Sequence, residues 1–134
     1  ETLLVSDAGQ KMAEDPRPDT DWARHAKRVL DIVDNQVRSL RKRQLIGAFE
    51  AGLRKGAYWG IRTDVADYAT PGLPCPVART RLLAAVPTRL SDTDDVTQER
   101  LINWGYAICD TALRAHVLPA LAPATAFPYP ASAV

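Results

Sequence analysis

The sequence predicts an α/β fold that is mostly helical, with one or two strands. Three observations lead there. Thr2-Leu3-Leu4-Val5-Ser6 is a short run without polar alternation, closed by the turn-like Asp7-Ala8-Gly9, which suits a strand covered on both faces of a parallel sheet. Ala57-Tyr58-Trp59-Gly60-Ile61-Arg62 has the aromatic and β-branched content of a second strand. Between them, Trp22, Ala26, Val29, Val33, Val37 and Leu40 recur at spacings of three and four, one stripe along a helix. Two strands are few for a parallel sheet, so the chain reads as the back half of an α/β domain whose other strands lie elsewhere.

The elements follow in order. After the first strand, residues 13–19 form a polar loop stiffened by Pro16 and Pro18. Asp19 or Thr20 can then accept a hydrogen bond from an orphan N–H and start the helix. The stripe continues through Leu45, Phe49 and Leu53, with an end expected at Gly52 or Gly56. From Thr20 to Glu50 such a helix runs ~46 Å at 1.5 Å per residue, long enough that a kink or break is expected. Asp64–Tyr68 leads into Pro71-Gly72-Leu73-Pro74-Cys75-Pro76, which cannot be regular structure. A short helix is expected over Val77–Ala85, stopped by Pro87. Ser91–Asp95 places carboxylates at a helix start. The helix that follows carries Leu101, Trp104, Ile108 and Ala112 on one face and ends before Pro119. The organisation expected is thus a segment of 1–118 and an extended Pro/Ala-rich tail of 119–134, packed through Phe127 and Tyr129 if packed at all.

Composition excludes several classes. The apolar fraction is 46%, the charged fraction 25% and the net charge +1, so the whole chain has no charge demanding a nucleic acid. Two cysteines, Cys75 and Cys109, are too few for a disulfide framework; they are free to pair but need not, and a reducing compartment, the cytoplasm favoured, is the simpler expectation. No apolar run approaches the ~20 residues of a membrane span. His25 and His116 have no ligand-type neighbours at zinc spacing, and no cofactor is expected.

Three stretches together resemble the C-terminal portion of bacterial patatin-like phospholipases: Leu3–Gly9, Arg28–Arg43 and Gly56–Thr63, with Gln98–Tyr106 fitting the same group. The resemblance implies part of an α/β/α sandwich and hydrolysis of lipid acyl esters by a Ser–Asp dyad. It also implies a partner, the N-terminal half of the same domain. The family's marks are a glycine-rich oxyanion turn, a G-x-S-x-G elbow and a later D-G-G or D-G-A. None of Ser6, Ser39, Ser91 and Ser132 is flanked by glycine on both sides. The chain alone is therefore expected to be inactive, with lipid degradation belonging to a longer protein.

Two candidate sites remain. Asp7 stands at the carboxyl end of a strand, where α/β folds place reactive groups. Yet Asp7-Ala8-Gly9 departs from the family order, and a strand-end turn is the competing role. Arg38, Arg41, Lys42 and Arg43 are four cations in six residues on the long helix. With Arg24, Lys27 and Arg28 they make a basic helix over 24–43, which reads either as a solvated face beside a buried stripe, or as a module binding an acidic partner or an anionic membrane surface. Tyr58, Trp59 and Trp104 are expected in the core.

Overall fold

A computed structural model describes residues 1–9, 12–88 and 91–134. The chain divides into two compact units, one of Glu1–Gly9 with Lys55–Val134 and the other of Gln10–Arg54.

In the first unit, β1 (Thr2–Asp7) pairs in parallel with β2 (Lys55–Gly60), in register from Thr2 against Lys55 to Asp7 against Gly60. The ladder runs one residue further, where the Ile61 N–H donates to the Asp7 carbonyl at 2.9 Å. The α/β character and the parallel pairing are thus present, with about half of the described residues helical. The cover expected on both faces of β1 is not. Leu4 is 51% exposed, and among the described residues β1 packs only against β2 at its edge, with no element laid over that face.

β2 is the better buried strand, with Ala57 and Trp59 inside the core. Their cover is α3 (Asp95–His116), whose Trp104, Ile108 and Ala112 join them in one cluster with Leu83, Val117 and Val134. The helix starts where the carboxylates predicted it. Asp94 caps it, accepting from the Thr97 N–H at 2.9 Å, and Asp95 faces the positive end of the dipole. Arg114 and His116 stand in its last turn, where cations are favoured. Between β2 and α3 lie a 3-10 turn (Val65–Tyr68) capped by Asp64, and α2 (Val77–Leu83), which ends two residues earlier than expected. Gly72 passes so close to α3 that a Cβ there would meet Thr111 Oγ1 at 2.6 Å.

The tail is packed, contrary to a simple extended segment. Asn103, fully buried on α3, donates through Nδ2 to the carbonyls of Tyr129 and Ser132 at 2.9 and 2.8 Å. It also accepts from the Tyr129 N–H at 3.0 Å. Ser132 Oγ donates to Glu99 at 2.5 Å, and Val134 is buried. One amide thus replaces the water that an irregular backbone would otherwise need. Asn103→Ala strands those groups, and a loss of ~1–3 kcal/mol is expected. Hydrogen exchange at the Tyr129 amide is the direct check, and it should lose its protection before the α3 amides do.

The second unit is dominated by α1 (Trp22–Glu50), 29 residues without interruption. The break is not found, and Gly47 lies inside the continuous helix. The cap is Asp21, not Asp19 or Thr20. Its Oδ1 accepts from the Ala23 and Arg24 N–H groups at 3.1 and 3.0 Å. Asp19 supports it instead, accepting from the Asp21 N–H at 3.0 Å and the Arg24 guanidinium at 2.7 Å. That guanidinium, first among the causes, holds the Asp19 carboxyl below its usual range. The predicted stop is found: Gly52 takes φ +68°, left-handed backbone that glycine adopts without a Cβ clash. None of the residues of α1 is buried.

Candidate functional site

A cleft of about 170 Å³ opens at the carboxyl ends of β1 and β2, beside α3, which packs on β2. Ser6 and Asp7 bring it the end of β1, Trp59 and Gly60 the end of β2, and Leu101 and Trp104 the wall of α3. The position follows from chain direction, since parallel strands deliver their last residues to one edge of the sheet. The walls are mainly apolar. Trp104 turns its indole N–H to the Ile61 carbonyl at 3.1 Å, so the ring is held by a bond that also satisfies its polar atom. Gly105, next along α3, leaves open space where a Cβ would stand.

Among the described residues, Asp7 is the one charged group on the cleft wall. Its Oδ1 accepts from the Gly9 N–H at 2.8 Å, closing a local turn. Its Oδ2 accepts from the Tyr58 hydroxyl at 2.5 Å, a short bond to a residue of the neighbouring strand two positions before Gly60, the register partner of Asp7. Sequence spacing carried no hint of that pair, because its members are 51 positions apart. The signal that does exist is the α3 stripe, which lists Leu101, Trp104 and Ile108 as one face. Trp59 and Trp104 are core residues as expected, while Tyr58 is half-buried.

The cleft offers shape, an apolar lining and an oriented carboxylate. It can hold a small apolar group with a polar end beside Asp7. Ser6 provides a hydroxyl on the wall, but its neighbours in sequence are Val5 and Asp7, so it lacks the backbone of a nucleophile elbow. The other polar groups of this unit serve the fold. Tyr68 donates to the Tyr58 carbonyl at 3.0 Å, and burial pushes its hydroxyl up to about 12, which keeps it a donor. Burial likewise raises the Cys75 thiol to about 11 and lifts Cys109, so neither resembles an activated thiolate. His116 packs edge-on against Tyr68 with ring centroids 5.6 Å apart. Among the described residues no cluster of His, Cys, Asp or Glu could hold a metal ion.

The basic candidates lie in the other unit, on α1. Arg38 faces Asp34 at 3.6 Å with both side chains largely exposed, and the Arg43 Nε reaches its own helix at the Ser39 carbonyl. Arg28 donates to the Ala13 carbonyl at 2.5 Å and ties the preceding loop to the helix. No helix among the described residues is long and apolar enough to cross a membrane. The chain matches no protein-family model, no curated protein and no solved structure.

Proposed function

We propose that this chain is the C-terminal part of a patatin-like lipid acyl hydrolase, and that the nucleophile acting with it lies on another segment of the same domain. The supporting observation is the parallel β1–β2 pair with an apolar cleft at its carboxyl ends, in the stretches whose residues resemble that family. A parallel sheet is covered by helices and extended by further strands. β1, half-covered and with Leu4 exposed, is suited to receive such a neighbour. The substrate class is an ester of a fatty acid, whose alkyl part an apolar wall of Trp59, Leu101 and Trp104 would accept.

The division of labour is set by chemistry. Acyl transfer needs a serine held in a strained turn and N–H donors aimed at the developing oxyanion. This chain contributes neither. It contributes the sheet extension, the cleft wall and, through Asp7, a fixed strand end.

Residues 1–134 alone are therefore expected to hydrolyse p-nitrophenyl butyrate at the rate of buffer. The polypeptide from the complete reading frame should turn it over, and Asp7→Asn should leave that rate within a few-fold. Turnover by the isolated chain that vanishes on Asp7→Ala would overturn the proposal.

A further inference from the structure

The two strands of the sheet differ at their outer edges. Alternate residues of a strand turn their main-chain N–H and C=O groups to opposite sides. The Ile61 N–H donates to the Asp7 carbonyl, and the register sets Asp7 against Gly60. Leu3, Val5 and Asp7 therefore face β2, while Thr2, Leu4 and Ser6 turn their main-chain groups outward. On β2 the outward residues are Gly56, Tyr58 and Gly60. Most of that edge is closed by its own chain. The Tyr68 hydroxyl donates to the Tyr58 carbonyl at 3.0 Å. Gly60 donates its N–H to Thr63 Oγ1 at 2.9 Å, and its carbonyl accepts from the Thr63 N–H at 3.0 Å. A strand added there would have to displace these bonds.

β1 has no such closure. Among the described residues, no hydrogen bond reaches the outward N–H and C=O groups of Leu4 and Ser6. They repeat every ~6.6 Å, the spacing at which another extended backbone presents its own donors and acceptors. Exposed edges are ordinarily blunted by Lys, Pro or a bulge. Thr2–Ser6 contains neither Lys nor Pro, and its register runs without a bulge. Its side chains are apolar on both faces, Leu3 and Val5 on one and Leu4 on the other, the composition of a strand inside a parallel sheet.

We infer that β1 takes a third strand along its Leu4–Ser6 edge, and that β2 is the last strand of the sheet. The partner is an extended, aliphatic segment running parallel to β1. Its origin in another segment of the same domain rests on the hydrolase reading, whereas the choice of edge does not.

Amide hydrogen exchange in residues 1–134 and in the complete reading-frame product is the test. In residues 1–134 the Leu4 and Ser6 amides should exchange within about tenfold of an unstructured chain, with Val5 protected. In the complete product both should slow by on the order of a hundredfold or more, and Gly56 should not change. Leu4→Pro removes an outward N–H and no β1–β2 bond. It should leave Val5 protected in residues 1–134, yet return Ser6 to fast exchange in the complete product. Fast exchange at Leu4 and Ser6 in the complete product would overturn the inference, as would new protection at Gly56. So would protection in residues 1–134 that dilution removes, the mark of a second copy on the edge. A reading frame with no residues beyond 1–134 would leave the third strand without a source and overturn it too. Protection gained in a product with no fluorophosphonate-reactive serine would refute the hydrolase reading and leave the edge assignment standing.

Discussion

Arg114→Ala should be among the most destabilising changes in the chain, at about 3–5 kcal/mol. The Arg114 Nε and Nη2 donate to Asp110 Oδ2 at 3.0 and 2.7 Å, with 6% and 11% of the two side chains exposed. Nη2 also donates to the Pro71 carbonyl at 2.5 Å, which pins the proline-rich loop to α3. Removing the arginine leaves a carboxylate inside without a cation and a loop carbonyl without a donor. A midpoint shift on the order of 15–25 °C follows for a unit of this size. Replacing both partners together, Asp110→Leu with Arg114→Met, should recover most of the loss, because the buried charge disappears with its partner. Arg38→Ala removes an exposed pair of the same type and should change stability by less than about 0.5 kcal/mol. Thermal melts of these three variants check the prediction.

Trp104→Ala should cost about as much, roughly 3–5 kcal/mol, for a different reason. Its ring is 2% exposed, sits between β2 and α3 in the core cluster, and forms one wall of the cleft. Alanine leaves a cavity and a lone Ile61 carbonyl, so both the transfer and the hydrogen-bond contributions are lost. Trp22→Ala is the contrasting case. Within its unit that ring covers nothing, and less than about 0.5 kcal/mol should be lost. Urea unfolding followed by far-ultraviolet circular dichroism separates the two, since the predicted difference exceeds the error of the extrapolation.

Much of the secondary structure is legible in the residues because it is locally determined. Asp94 ahead of Asp95 marks the start of α3, Gly52 marks the stop of α1, and the apolar run at Leu3–Val5 marks β1. What local pattern cannot reveal is which polar residue turns inward. Asn103 and Arg114 stand among apolar positions of α3 with no distinguishing neighbours. Their burial depends on carbonyls at Tyr129 and Pro71, 26 and 43 positions away. The packed tail escapes notice for the same reason, since an Ala/Pro-rich stretch carries little apolar signal of its own. The N-cap is misplaced by competition among three adjacent capping residues, Asp19, Thr20 and Asp21, any of which satisfies the chemistry. At the site, the α3 wall is visible as a stripe, and Asp7 as a strand end. The Tyr58 hydroxyl that meets Asp7 is not, because register between parallel strands is set by a 47-residue excursion that neither strand encodes.

Labelling with a fluorophosphonate probe tests the proposed function most directly. The complete reading-frame product would be labelled, digested and mapped by mass spectrometry. A single modified serine outside residues 1–134, in a Gly-x-Ser-x-Gly context, is the result expected of a chain that extends the sheet and walls the cleft without supplying the nucleophile. Modification at Ser6, Ser39, Ser91 or Ser132, or an active esterase with no labelled serine, would contradict it.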